Sequence, residues 1–436
     1  MTPRRRWNLA LFAGGDFAFN LYWQSVMLYL LFYYTEAIHL PITTASLCYA
    51  LASLWDGVAN LAVGLVASRP SVVMPYGRVL VLGAAPLGIG FVLAYFPPPG
   101  AVGGTTALAW IMVTHLAFRT LYALVNVPYL AMSARITLDS GERALVAGLR
   151  MLFGTLAAVI VAFFTVPLGK MLTGSEGAQG YAAAAMVFAA TATAVLILVG
   201  LTYREAQIPE PPGAAARWRD LVPVLGNRAF ISLSAAMVAM IVAATVLDKS
   251  VLYYFKYALR DQGAGQESLG WMSAVSAVAV PMWLLVSRVT GVRGVWFLAS
   301  AACCLCLGLF MALSITAPLP IQLFLVAIQS AIVGLHFSFW AMLPDTVEYG
   351  QKVHGQRAEA LLYGLAGLLQ RLAIGLGTLV LGLGLDGQGD HHAVVGESGY
   401  RIVLAVIPLL FFALAALLML ANPLRKGRHD EIVANL

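Results

Sequence analysis

Residues 204–226 read REAQIPEPPGAAARWRDLVPVLG. Pro209, Pro211, Pro212 and Gly213 stop any helix that enters this stretch, and Arg217, Arg219 and Asp220 make its second half charged. It is the longest polar interruption in the chain, and what lies on either side decides the architecture. Six apolar runs precede it, at 8–34, 44–67, 78–97, 104–134, 145–170 and 179–203. Six follow, at 226–257, 266–287, 294–314, 318–344, 356–384 and 399–421. Each is long enough for a membrane-crossing helix of roughly 20 residues. The fourth and tenth are longer, which implies tilt or ends that leave the hydrocarbon.

Composition supports the same reading. The 436 residues are 61% hydrophobic and only 11% charged, whereas soluble domains carry about 25% charged residues. In lipid a backbone satisfies itself as a helix or a closed barrel, and these runs are too long and too weakly alternating for barrel strands. The expected fold is therefore an all-α membrane protein of twelve transmembrane helices. The first run follows Arg4–Arg6 like a signal peptide, but Asp16 and Asn20 interrupt it and no small-residue cleavage site follows. It is expected to stay as the first helix. Cys48, Cys303, Cys304 and Cys306 all lie in apolar runs without metal or redox spacing, and read as core.

Charge sets the orientation. With the N-terminus inside, eighteen of the 26 Lys and Arg fall in cytoplasmic segments, and only Lys170, Lys256, Arg260 and Arg401 fall on the opposite face. The positive-inside rule then puts both termini in the cytoplasm, for a multi-pass protein of the inner (plasma) membrane. The net charge of +6 reflects this asymmetry and is not a nucleic-acid footprint. Six plus six helices around a cytoplasmic linker is the pattern of major-facilitator transporters, whose halves rock around a midplane site. The expected domains are two six-helix bundles at 1–203 and 227–422, a linker at 204–226 and a tail at 423–436. The loops Arg69–Arg78 and Asp345–Arg357 are expected to form the inner gate.

Ionisable groups inside a bilayer cost about 2.5–3.5 kcal/mol each on insertion scales, so each is a functional-site hypothesis. Here they are Asp16, Asp56, Arg119 and Arg150 in the first half, and Asp248, Lys249 and Arg371 with His336 in the second. Asp56 and Asn60 share a helix face at a spacing of four, as Arg119 and Asn126 do at seven. The structural alternative is that such charges only pair and hold helices together. Asp248 and Lys249 are adjacent, so at most one of them faces a ligand. Glu36, His115, His391 and His392 lie near ends or loops and read as solvated or interfacial, while Trp23, Tyr33 and Tyr34 read as packing or interface belt ahead of stacking on a solute ring. Asp139 and Glu142 fit the N-cap and N3 positions of a capping box.

These stretches, taken in order, resemble the glycoside–pentoside–hexuronide:cation symporters, the group that includes the melibiose permease. Gly15-Asp16-Phe17-Ala18-Phe19-Asn20 and Leu31-Phe32-Tyr33-Tyr34-Thr35 look like its first-helix segments. Trp55-Asp56-Gly57-Val58-Ala59-Asn60 is similar to its WDAxxD cation motif, except at the last position. Pro75-Tyr76-Gly77-Arg78, Asn126-Val127-Pro128-Tyr129, Leu138–Arg143 and Pro344–Gly350 followed by Arg357 and Glu359 resemble further family segments. The resemblance implies that Asp16 and Arg150 bind sugar hydroxyls and that Asp56, with Asn60 and Asn126, handles the coupling cation. It also implies a basic residue beside them on the eleventh helix. The family's second carboxylate is Asn60 here, and its lysine is Arg371.

Those departures bear on coupling. Arg371 is permanently charged and competes for Asp56, while a proton needs only one titrating carboxylate. Proton symport, uncoupled facilitation and sodium symport all stay open, with H+ or Na+ as the coupling ion and no other cofactor. The cationic excess of Arg119, Arg150, Lys249 and Arg371, with His336, points to an anionic solute such as a hexuronide, ahead of a neutral glycoside. A carrier of an anionic amphiphile such as a lysophospholipid is the alternative. The partners expected are a small-molecule sugar or sugar acid and membrane lipids, without nucleic acid, in a protein that can act as a monomer. Neither HExxH nor GxSxG occurs, so an enzyme is not expected.

Overall fold

A computed structural model of the chain describes residues 3–67, 75–99, 104–136, 140–203, 226–313, 315, 317–354, 359–386 and 397–424. The linker at 204–225, the tail from 425, Asp139 and His391–His392 lie outside them. The chain divides into two compact units, Met1–Ala215 and Ala216–Leu436.

Among the described residues every regular element is helical. Unit one holds α1 (Pro3–Ser25, continued by wider turns at Val26–Leu30 and Tyr33–Ala37), α2 (Ile42–Ala67), α3 (Tyr76–Ala94), α4 (Thr105–Arg135), α5 (Ser140–Thr173) and α6 (Ala178–Thr202). Unit two holds α7 (Arg228–Tyr253, then Tyr254–Ala258), α8 (Gln262–Thr290), α9 (Val292–Ala312), α10 (Pro318–His354), α11 (Glu359–Asp386) and α12 (Glu397–Arg401, Ile402–Val406 and Ile407–Leu420). Among the described residues, eleven of these helices are long and apolar enough to cross a membrane. The twelfth, α1, is more polar because Asn8, Asp16, Asn20 and Gln24 sit on it.

The two units share one internal plan that the sequence does not display as a repeat. In unit one α1 packs on α5, α2 on α4 and α3 on α6; in unit two α7 packs on α11, α8 on α10 and α9 on α12. Close packing of helices in lipid depends on small residues. A Cβ on Gly77 would lie 2.6 Å from the Gly200 carbonyl oxygen, and one on Gly200 equally close to that of Gly77. The glycine of the Pro75–Arg78 segment thus lets α3 meet α6 backbone to backbone.

The widened turns of α1 are satisfied by tyrosines from neighbouring helices. Such turns disturb the regular hydrogen-bond ladder. The Tyr95 hydroxyl donates to the Ser25 carbonyl at 2.6 Å and the Tyr49 hydroxyl to that of Val26 at 3.4 Å. Tyr33, read as packing, is buried and donates to the Tyr95 carbonyl at 2.8 Å.

Arginines at the helix ends play a similar part. The last carbonyls of a helix lack internal partners. Arg293 donates to the carbonyls of Asn422, Leu424, Met419 and Leu420 at the end of α12. Arg401 does the same for Phe310 and Leu313 at the end of α9.

One expectation changes. The stretch from Asp345, read as a gate loop, continues α10 as helix as far as His354, since nothing after Pro344 breaks it. Asn227, the N-cap of α7, fastens that extension by donating to the Thr346 carbonyl at 2.7 Å. Glu142, read with Asp139 as a capping pair of which Asp139 lies outside the described residues, also reaches α1: Arg5 Nη2 lies 2.7 Å from its Oε2 and 3.0 Å from the Ile136 carbonyl. This pairing raises the Arg5 pKa further above its ordinary value. Arg5 stays charged at any working pH, so the α1–α5 link does not depend on its titration.

Candidate functional site

Two charged clusters form in unit one. The first joins α1, α4 and α5. Arg150 meets the Asp16 carboxylate through two nitrogens: Nε donates to Oδ2, and Nη2 donates to Oδ1 at 3.2 Å. This is the two-point fork that guanidinium and carboxylate geometry favours. The Tyr129 hydroxyl lies 2.6 Å from Asp16 Oδ2 and 2.9 Å from the Phe12 carbonyl, both acceptors. Its ring takes the guanidinium on one face, with Arg150 Cζ 5.5 Å from the centroid. The pair is not sealed: the side chains of Arg150 and Asp16 are 22% and 18% exposed.

Gly15 makes that arrangement possible. A Cβ there would stand 2.5 Å from Tyr129 Cε2, so only glycine lets the ring lie against α1 and reach Asp16. Gly15→Ala is expected to push Tyr129 off Asp16 and to destabilise the protein by about 1–3 kcal/mol, the usual range for overpacking. Thermal melting of the purified variant measures this, and an unchanged melting temperature contradicts it.

The second cluster joins α1, α2 and α4, and the ion pair at its centre is fully enclosed. Asp56 is 0% and Arg119 1% exposed. Arg119 Nη1 donates to Asp56 Oδ2 at 3.4 Å, and Asn60 Nδ2 donates to Asp56 Oδ1 at 2.9 Å. Arg119 Nε donates to His115 Nε2 at 3.3 Å, and His115 Nδ1 lies 3.2 Å from the Tyr34 hydroxyl. The rings of Trp23 and Tyr49 cover the guanidinium, with centroids 5.3 and 5.7 Å from Cζ. A charge this deep is tolerated because it is paired and capped by aromatic faces.

The structure thus unites Asp16 with Arg150, and Asp56 with both Asn60 and Arg119. Within its own unit the guanidinium that Asp56 meets is that of Arg119; the sequence considered only Arg371 for this place. Asn126 is buried on α4 but makes no hydrogen bond to Asp56 or Asn60 among the described residues. In unit two, His336 sits on α10 and donates from Nδ1 to the Ile332 carbonyl at 3.1 Å, a bond within its own helix. Arg371 is half-buried on α11. Lys249 on α7 is buried, and Asp248 Oδ1 is enclosed without a hydrogen-bond partner among the described residues.

Three contributors escaped the sequence reading. His115, read as solvated or interfacial, is fully buried at the centre of the second cluster. Its spacing of four from Arg119 was the available signal. Tyr34 and Tyr129 were indistinguishable from packing aromatics, because a hydroxyl's partner depends on which helices meet.

The model of the MFS/sugar transport protein family matches residues 11–426. The chain belongs to that family. Among curated relatives, the uncharacterized symporter YnaJ of Bacillus subtilis is 26% identical, over 98% of this chain and 93% of that protein. The glucuronide carrier protein homolog of Escherichia coli is also 26% identical, over 100% and 96%. Among solved structures, a bacterial homologue of the human drug peptide transporters PepT1 and PepT2 superposes with a TM-score of 0.70 at 12% identity, over 99% and 98%. That likeness speaks for the fold alone. As a member of the MFS/sugar transport family the chain is a multi-pass membrane transporter and not an enzyme, and the motif resemblance to the glycoside–pentoside–hexuronide:cation symporters stands.

Proposed function

We propose that the chain carries a sugar acid of the hexuronide type across the inner membrane by alternating access, with both termini cytoplasmic, and that it does so by proton symport. The family and the relatives' names, symporter and glucuronide carrier homolog, support a sugar carrier. The positive-inside distribution of Lys and Arg supports the orientation.

The observation that carries the reading is the contrast between the two acid–arginine pairs. Asp16–Arg150 is partly open and leaves Arg150 Nη1 outside its fork, so it is suited to take solute oxygens. Asp56–Arg119 is sealed, so it is suited to hold or exchange a charge out of contact with water. Both Asp56 oxygens face N–H groups, from Asn60 and Arg119. Sodium asks for converging oxygen ligands, and this setting offers donors instead. A proton needs only the carboxylate, once Arg119 withdraws from it. A second reading, uncoupled facilitation, draws on the same pair: Arg119 already stands beside Asp56 as a built-in cation.

The test is uptake of a labelled glucuronide into proteoliposomes in sodium-free buffer, with and without an inward proton gradient. Accumulation above equilibrium only with the gradient is the expected result. Gradient-independent equilibration makes the protein a facilitator, and absence of uptake removes the hexuronide reading.

A further inference from the structure

His115 has no assigned part in transport, yet it holds the one guanidinium edge that decides how Arg119 meets Asp56. A guanidinium has only N–H donors. The His115 Nε2 that accepts from Arg119 Nε must therefore be unprotonated, and a neutral ring then carries its proton on Nδ1, directed at the Tyr34 hydroxyl oxygen. The sequence places His115 and Arg119 one helical turn apart on α4, so the contact is built into the helix.

Its consequence emerges from comparing the two pairs in this unit. Arg150 grips Asp16 with its Nε and Nη2 edge, a two-point fork. Arg119 cannot offer that edge to Asp56, because His115 occupies Nε. It reaches Asp56 with Nη1 alone, at 3.4 Å, longer than the roughly 2.7–2.9 Å of a tight charge-assisted bond. Arg119 Nη2, between the two engaged nitrogens, is buried and has no hydrogen-bond partner among the described residues. A buried donor is costly to leave unpaired, so Nη2 is a donor available to an oxygen acceptor.

We propose that His115 is a positioning residue: by holding Arg119 Nε, it keeps the Asp56–Arg119 pair at a single point. The pair then opens during the transport cycle, and Nη2 is left for an oxygen acceptor supplied by the solute. Without His115 the guanidinium turns and closes a two-point fork on Asp56, as Arg150 does on Asp16. The pair becomes too tight to open, and Nη2 is consumed. The solute part of this proposal rests on the sugar-acid reading above; the positioning part does not.

The experiment has two arms. Imidazole 15N NMR of the purified, detergent-solubilised protein, with the His115 signal assigned among seven histidines by its loss in His115→Gln, reports the tautomer. The Nδ1–H form is expected, and an Nε2–H ring or an imidazolium at neutral pH overturns the proposal whatever the solute proves to be. The second arm measures glucuronide uptake kinetics in proteoliposomes. His115→Phe, which fills the space without accepting a hydrogen bond, is expected to lower the maximal rate at least about tenfold. His115→Gln, whose Oε1 can accept from Arg119 Nε, should stay within roughly threefold of the parent. In an Arg119→Lys background, where no fork exists, His115→Phe should add almost nothing, the non-additivity of residues acting through one contact. Parent-like kinetics in His115→Phe, or equal loss in the Phe and Gln variants when both elute as single monodisperse species, overturns the proposal. If the parent itself moves no glucuronide, the sugar-acid reading fails, and the tautomer arm still decides the role of His115.

Discussion

Asp56→Asn is expected to abolish the proposed proton-driven accumulation of a labelled glucuronide, while exchange of the solute down its own gradient should persist. Asn has nearly the shape of Asp and still accepts a hydrogen bond, but it neither carries the charge nor takes up the proton. The substitution also strips Arg119 of its counter-charge at a site that is 1% exposed. Removing one partner of a buried pair typically costs about 3–5 kcal/mol, because the other charge stays buried and uncompensated. The single variant should therefore melt well below the parent. Adding Arg119→Gln removes the stranded charge and should recover most of the lost stability, because replacing a whole buried pair is often close to neutral. Accumulation should stay absent in the double variant, which separates the stability effect from the coupling effect. Uphill uptake by Asp56→Asn at the parent's level would place the proton site elsewhere.

Arg150→Lys is expected to raise the concentration of glucuronide needed for half-maximal transport by roughly ten- to a hundredfold. Lysine keeps the positive charge but has no planar fork, so it cannot hold Asp16 at two points while presenting a third nitrogen to the solute. A hydrogen bond to a charged group is worth about 1.5–3 kcal/mol, which sets the scale of that loss. Arg150→Gln removes the charge as well, and should weaken the sugar acid more than a neutral glycoside of the same ring. The check is solute counterflow with the two ligands side by side. Equal losses for acid and neutral sugar would assign Arg150 to hydroxyl binding or to holding Asp16, and the anionic preference would need another source.

The chain order of polar and apolar residues was sufficient for the architecture. Helices are the way these long runs satisfy their backbone in lipid, so the number of runs and the break at Pro209–Gly213 fixed twelve helices in two sets. Ionisable residues inside a bilayer carry a large cost, so Asp16, Asp56, Arg119 and Arg150 stood out without any structure. Periodicity along one helix also joined Asp56 to Asn60.

Partner choice between helices belonged to the tertiary structure. Whether Asp56 takes Arg119, and whether His115 is solvated or sealed, depends on which faces of α2 and α4 meet α1. No spacing within a single segment encodes that. Gly15 and Gly77 illustrate the limit: the sequence marks them as motif glycines, but only the approach of the Tyr129 ring and of the Gly200 backbone gives the reason. Local sequence therefore determined which costly groups enter the membrane, and packing decided which of them neutralise one another. The physical reason is that burial energies add up along a chain, whereas hydrogen bonds and ion pairs exist only where two helices bring particular atoms within about 3 Å.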